Sequence, residues 1–154
     1  MTMVSGVNHV AVLTADLDRF VEFYRDVFEL DVVFSETTPA FRHAILRAGA
    51  DSWIHPAEVA DNAHASALPA MFDRGHLDHV ALGAASAEHF ETLRQRLVER
   101  GATSGAIEDL GAFHSVWFTD PDGMHVELTL IVDPTLQGIH APRPLDRRED
   151  VARR

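Results

Sequence analysis

Histidines occupy matching positions in two similar stretches of the chain. Residues 8–12 (NHVAV) and 78–82 (DHVAL) each place a polar residue and a histidine before an alternating apolar run. The second repeat ends in a turn-forming run at 120–123 (DPDG), followed by a strand-like segment that carries Glu127. Imidazole nitrogens and carboxylate oxygens are common ligands of divalent metals. His9, His79 and Glu127 are therefore candidates for one metal site.

Hydrophobic spacing predicts the elements that must position these residues. Alternation predicts strands over 7–13 and 77–82, and spacing of three to four residues predicts helices over 17–28 and 87–100. Further strands are predicted over 31–34, 41–47, 52–55, 107–110, 113–119 and 124–131. Each half of the chain then has the order β-α-β-β-β. The sequence predicts an α+β fold of two tandem βαβββ modules.

The predicted boundaries define one domain over residues 1–133. Its modules cover about 4–56 and 76–132, and residues 57–75 connect them. The proline- and arginine-rich tail over 134–154 lacks periodicity. We expect this tail to be extended across the surface or partly disordered.

Alternation along each strand also predicts which side chains face away from the helices. If the valines at 10, 12 and 80 point toward the helices, His9 and His79 point toward the opposite face of their strands. In the last strand, Glu127 shares that face with His125. Burial of an unpaired carboxylate is costly, so Glu127 needs a cation or a dense set of hydrogen-bond donors. A divalent metal would supply that cation.

Composition excludes several classes of function. The formal net charge of the 154 residues is -11, which disfavours binding to nucleic acid or to anionic membranes. The chain has no cysteine, and all 13 basic residues are arginine, so neither thiolate nor lysine Schiff-base chemistry is available. No apolar run is long enough to span a membrane, and residues 1–6 lack the basic start and apolar core expected of a signal peptide. We expect a cytoplasmic enzyme with a small-molecule substrate.

The paired modules, the two strand-borne histidines and the DPDG turn before Glu127 resemble the vicinal oxygen chelate superfamily. This group includes glyoxalase I, extradiol dioxygenases, and fosfomycin and bleomycin resistance proteins. The resemblance covers about residues 4–132. It implies an incomplete barrel of eight mostly antiparallel strands around one divalent metal per chain, which the substrate chelates through two adjacent oxygens.

The resemblance also implies particular ligands. His9, His79 and Glu127 correspond to the metal ligands of the family. Fe²⁺ is the first choice of metal, with Mn²⁺, Ni²⁺ or Zn²⁺ as alternatives. A homodimer is expected, because module pairs in this group close either within one chain or between two.

The repeat identifies a further candidate for catalysis. A shift of 72 residues places His55 on Glu127. Glyoxalase-like members typically hold at this place a glutamate that binds the metal and moves the substrate proton. Here His55 could be a ligand, a base or part of the cavity lining, and His125 is the second catalytic candidate. The expected substrate pocket contains Trp53, Trp117, His43, Arg47 and His64.

The reaction type has a first choice and two alternatives. Two histidines and one carboxylate leave metal positions open, which suits oxygen activation at Fe²⁺ and favours a dioxygenase. Extradiol enzymes, however, carry a tyrosine ten residues before the glutamate and a histidine nineteen before it, where this chain has Trp117 and Glu108. A glyoxalase-like lyase or isomerase is the first alternative. A metal-free antibiotic-binding resistance protein is the second.

Overall fold

The computed structural model describes residue 3 and residues 7–59, 77–136 and 139–145. The chain divides after residue 68 into two compact units. Each unit contains one sheet and one helix. None of the helices in these described ranges is long and apolar enough to cross a membrane.

The first unit begins and ends with neighbouring strands. Its elements are β1 (His9–Leu13), α1 (Leu17–Phe28), β2 (Asp31–Thr37), β3 (Phe41–Arg47) and β4 (Trp53–Val59). The sheet has the order β1-β4-β3-β2, in which β1 runs parallel to β4 and the other pairs are antiparallel. Parallel pairing of the first and last strands requires a crossover connection, which here contains α1, β2 and β3.

Helix α1 forms because its apolar residues fall on one side and its N-terminus is capped. Asp16 accepts a hydrogen bond from the backbone N–H of Arg19 at 3.0 Å, which satisfies one of the free donors of the first turn. The buried residues on its inner side are Leu17, Phe20, Phe23, Tyr24 and Val27. The helix ends at Glu29, which adopts the left-handed conformation with φ 58°.

The second unit repeats this plan and adds a strand. Its elements are β5 (Val80–Gly83), α2 (Ala87–Glu99), β6 (Glu108–Gly111), β7 (Phe113–Thr119), β8 (His125–Ile131) and β9 (Ile139–Pro144). The sheet order is β5-β8-β7-β6-β9, and β5 runs parallel to β8. In each unit, the strand that carries or directly follows the repeated histidine therefore lies beside the last strand of its predicted module. These pairs are β1 with β4 and β5 with β8.

Helix α2 has the same start as α1 but a different core. Ser86 caps its N-terminus by accepting a hydrogen bond from His89 N–H at 3.1 Å. Its buried residues include Phe90 and Leu97, together with Arg94, which donates to the Gly105 carbonyl at 3.0 Å.

The structure confirms the predicted α+β fold and its repeated β-α-β-β-β order. Strands β3 and β7 have the predicted bounds, whereas β4 continues through Pro56 to Val59. The missing N–H of Pro56 coincides with a gap in the β3–β4 ladder between the pairs His43↔Ala57 and Leu46↔Ile54. The tail also contains β9, a strand that was not predicted and that pairs antiparallel with β6.

Candidate functional site

In the second unit, the two predicted ligands His79 and Glu127 are neighbours. Ala81 of β5 pairs with Glu127 of β8, and His79 precedes Ala81 on the same side of the strand. His79 Nε2 lies 3.6 Å from Glu127 Oε2. Two atoms that bind one metal ion at about 2.1 Å are about 3.0–3.5 Å apart. A small movement of either side chain would bring the pair to ligating distance.

Asp78 determines which nitrogen of His79 is available. The Nδ1 atom of His79 lies 2.7 Å from Asp78 Oδ2. Because an ionised carboxylate only accepts hydrogen bonds, this contact holds the proton on Nδ1 and leaves a lone pair on Nε2. The same carboxylate–histidine arrangement orients ligands in many metal sites. The residues present therefore fit a divalent metal at Nε2 of His79.

Glu127 is a carboxylate in an apolar environment. Its side chain is 7% exposed, and its strand neighbours Val126 and Leu128 are buried. Among the described residues, no group donates a hydrogen bond to its carboxylate, and His79 is its one ion-pair partner. A buried anion without donors is unfavourable, so this position favours a bound cation.

Trp117 and Glu108 contact each other beside this pair. Trp117 Nε1 donates to Glu108 Oε2 at 3.1 Å, and the tryptophan ring packs edge-on against His79 with centroids 4.7 Å apart. Trp117 also pairs across the sheet with Glu127. The two positions where extradiol enzymes carry a tyrosine and a histidine thus hold a hydrogen-bonded tryptophan and glutamate.

In the first unit, three histidines lie close together. His55 of β4 contacts His9 of β1, with ring centroids 5.9 Å apart, and His43 of β3, with centroids 5.1 Å apart. His43 Nδ1 lies 2.9 Å from His55 Nε2. On its other side, His43 Nε2 lies 3.0 Å from Glu36 Oε2. Glu36, His43 and His55 therefore form one hydrogen-bonded chain.

His9 resembles His79 in its own local contact. Its Nδ1 atom lies 2.9 Å from Oδ1 of Asn8, the preceding residue. In both units, a side-chain oxygen of the residue before the histidine thus contacts Nδ1, which leaves Nε2 for another group. The repeated motif includes both polar residues. The sequence pattern alone did not predict that they orient the histidines.

The environment of His55 disfavours its charged form. Burial lowers the pKa of His55 below the usual imidazole value, and the neighbouring rings of His43 and His9 lower this pKa further. A histidine that stays neutral can act as a ligand or accept a proton at neutral pH.

The remaining predicted residues are more scattered. His125 lies on β8 opposite Thr119, and within the described ranges nothing hydrogen-bonds to its ring. Trp53 pairs with His9 on one side and with Arg47 on the other, and Arg47 is exposed at the end of β3. His64 lies outside the described residues.

Sequence reasoning did not identify Glu36, although a shift of 72 residues places it on Glu108. This correspondence with Glu108 is the sequence signal that could have identified Glu36. Within the described part of the chain, no three histidine, aspartate or glutamate side chains are arranged as a complete metal site. The assignment of His9 as the third ligand stays a prediction.

Comparisons with known proteins agree with this fold. The metallothiol transferase FosB of Staphylococcus epidermidis is 29% identical over 127 residues, which are 81% of each chain. The solved structure of a glyoxylase/bleomycin resistance protein/dioxygenase domain from Frankia sp. EAN1pec has a TM-score of 0.69 and 23% identity, covering 83% of this chain and 98% of that one.

A further solved structure is a glutamine-for-glutamate mutant of the fosfomycin resistance protein FosX from Listeria monocytogenes. It is complexed with Mn(II) and 1S,2S-dihydroxypropylphosphonic acid. Its TM-score is 0.61 at 20% identity, covering 82% of this chain and 92% of that one. A sequence profile of the Glyoxalase/Bleomycin resistance protein/Dioxygenase superfamily matches residues 6–128. With this match and the repeated β-α-β-β-β fold, the chain belongs to that superfamily.

Proposed function

We propose that this protein is a divalent-metal-dependent enzyme that activates a small substrate with adjacent oxygens for a reaction without net oxidation. The observation that carries this proposal is the buried Glu127 carboxylate beside Nε2 of His79, whose other nitrogen contacts Asp78. In this proposal His79, Glu127 and the predicted third ligand His9 hold the metal. When bound, the metal would polarise a substrate oxygen as a Lewis acid.

The chain's own residues would then have distinct tasks. Glu127 would offset part of the cation's charge within the buried sheet, and Asp78 would keep His79 in the tautomer that can ligate. His55, neutral because of its burial, would accept or return a proton of the substrate or the attacking nucleophile. His125 and Trp53 remain predictions as catalytic and pocket residues.

Addition of a thiol or of water to an epoxide-like substrate is the favoured reaction. A metallothiol transferase and a fosfomycin resistance protein are among the relatives. Ring-cleaving dioxygenases carry a tyrosine and a histidine at the two positions that Trp117 and Glu108 occupy in this chain. Here these two residues are hydrogen-bonded to each other. The dioxygenase preferred from sequence, and Fe²⁺ as its metal, therefore stay predictions without support from the relatives described above.

A glyoxalase-like lyase is the second candidate. Its support is the register of His55, which faces Ala11 of β1 as Glu127 faces Ala81 of β5. His55 thus occupies in the first unit the strand position that Glu127 occupies in the second. A proton-moving group is expected at this place in glyoxalase-like members.

The metal assignment can be tested by elemental analysis after loading with Mn²⁺. We expect about one ion per chain in the native protein and a loss of at least about tenfold in affinity for His79→Ala. His89→Ala is the matched control, because His89 is an exposed histidine on α2 of the same unit, and its ring contacts only the capping residue Ser86 among the described residues. Unchanged metal content in His79→Ala would overturn the assignment.

The reaction class can be tested with the Mn²⁺-, Zn²⁺-, Ni²⁺- and Fe²⁺-loaded protein. Fosfomycin with glutathione, cysteine or water tests the favoured reaction, and a hemithioacetal tests the lyase. Oxygen uptake with a catechol and Fe²⁺ would overturn the proposal in favour of a dioxygenase.

Light scattering at micromolar concentration would test the homodimer, which also stays a prediction.

A further inference from the structure

The chain of hydrogen bonds in the first unit ends at a half-exposed carboxylate. The side chain of Glu36 on β2 is 51% exposed, whereas that of His43 on β3 is 14% exposed. Glu36 and His43 are direct cross-strand partners. His43 in turn pairs with Ala57, two residues beyond His55, so the two imidazoles meet diagonally across β3 and β4.

Packing also fixes the ring of His43. The rings of Phe34 and Phe41 contact it with centroids 5.4 Å and 4.8 Å away. These two apolar neighbours leave the polar contacts of His43 to Glu36 and His55. The imidazole of His43 is therefore held with one nitrogen toward each of them.

When both imidazoles are neutral, counting donors and acceptors determines where the protons lie. A carboxylate only accepts, so the 3.0 Å contact with Glu36 requires a proton on Nε2 of His43. A neutral imidazole has one N–H, which makes Nδ1 of His43 an acceptor. The 2.9 Å contact then requires Nε2 of His55 to donate. Nδ1 of His55 keeps its lone pair and has no hydrogen-bond partner among the described residues.

We propose that Glu36 and His43 are positioning residues that fix His55 as the Nε2–H tautomer and thereby present its Nδ1 lone pair to the substrate. The use of Nδ1 rests on the proposed function, whereas the tautomer does not. Carboxylate–histidine pairs have this orienting effect on metal-binding histidines. In this chain the orienting group of His55 is a second histidine.

The tautomer can be read from the ring nitrogens and protons of ¹⁵N-labelled, metal-free protein, at a pH where the rings are neutral. We expect the proton of His55 on Nε2, in slow exchange with water. His43→Phe keeps a ring between Phe34 and Phe41 but has no nitrogen, so exchange of the His55 proton should become about tenfold faster. A proton on Nδ1 of His55 in the native protein would overturn the proposal.

A second variant keeps the test decisive if His43→Phe does not fold. Glu36→Ala removes only a half-exposed side chain and should accelerate exchange of the His43 Nε2 proton. Ser35→Ala, on the adjacent position of β2, is the matched control and should leave both ring protons unchanged. An unchanged His43 spectrum in Glu36→Ala would contradict the proposed chain.

Kinetics separate this positioning role from a structural one. In the metal-loaded enzyme, His43→Phe should lower kcat by about 10–100-fold with unchanged metal content and KM. A loss of metal or a rise in KM alone would reject the positioning role. If the native protein shows the expected ring spectrum but turns over none of the substrates, the proposed function fails while the tautomer assignment stands.

Discussion

The two units repeat one topology but present different chemistry at corresponding strand positions. A shift of 72 residues places Glu36 on Glu108, His43 on Ser115 and His55 on Glu127. In the first unit these positions form a chain from carboxylate to imidazole to imidazole. In the second, Glu108 instead accepts from Trp117, and Glu127 faces His79.

This difference suggests a division of labour between duplicated modules. Imidazoles that remain neutral can exchange protons at neutral pH, whereas a buried carboxylate favours a cation. In the first unit His55 is therefore the group suited to proton transfer, and in the second unit Glu127 and His79 are the pair suited to holding a metal. The common backbone determines where the groups lie, and the side chains determine what each set can do.

The largest expected effect concerns the two helices. A shift of 70 residues places Tyr24 of α1 on Arg94 of α2. Tyr24 is 0% exposed and packs against Phe20 at 4.6 Å, so Tyr24→Ala should lower the free energy of unfolding by about 3–5 kcal/mol. Arg94→Ala mainly loses hydrogen bonds to Glu91 and Gly105 and should cost about 1–3 kcal/mol. Equal losses of unfolding free energy in the two variants, measured by urea unfolding, would contradict this ranking.

A second prediction compares the mirrored positions in metal binding. Glu127→Gln keeps the shape of the side chain but removes its charge, and should weaken Mn²⁺ binding by about 100-fold or more. His55→Gln should weaken it by less than about tenfold if His55 contacts substrate rather than metal. Isothermal titration calorimetry measures both. Comparable losses in the two variants would make His55 a ligand and remove the proposed division between the units.

A third prediction concerns the ends of the helices. The chain leaves α1 through Glu29 with φ 58° and leaves α2 through Gly101 with φ 69°. Only glycine adopts this region without strain, so Glu29→Gly should stabilise the protein by about 0.5–1 kcal/mol and Gly101→Ala should destabilise it by about 1 kcal/mol. Thermal unfolding should show shifts of opposite sign. A lower unfolding temperature for Glu29→Gly would be inconsistent with strain at that residue.

The smallest predicted effect lies at Ser115, the counterpart of His43. Its hydroxyl is buried and lacks a hydrogen-bond partner among the described residues. Ser115→Ala should therefore be neutral or stabilise by up to about 1 kcal/mol. Thr103→Val is the contrasting variant, because the Thr103 hydroxyl donates to the Trp117 carbonyl, and it should cost about 1 kcal/mol. A clear loss in Ser115→Ala would reveal a partner for this hydroxyl.

The sequence predicted most of the fold because local patterns and tertiary packing agree. Strands β3 and β7 each contain a run of three apolar residues, and both helices have capping residues at Asp16 and Ser86. Strand β2 was predicted only to Phe34, because its later residues are polar and all of the strand is exposed. Strand β9 was missed because its pairing with β6 depends on tertiary structure and its sequence lacks periodicity.

The candidate site was predictable only where the repeat marks it. His79 and Glu127 came from matching motifs, and the structure places them 3.6 Å apart. The contact between His43 and His55 depends on the register of β3 and β4, which alternation within one strand cannot specify. Glu36 was missed for the same reason, because its partner is identified only by the pairing of β2 with β3.

The parallel pairing of β1 with β4 and of β5 with β8 has a consequence for the order in which the protein folds during synthesis. The residues around His9 gain their sheet neighbour only when β4 has left the ribosome, and those around His79 only after β8. Such non-local pairing is slow relative to helix formation. The helices and the antiparallel strands β2 and β3 can form earlier on the nascent chain. The strand segments around His9 and His79 therefore gain their sheet neighbours long after they themselves are synthesised.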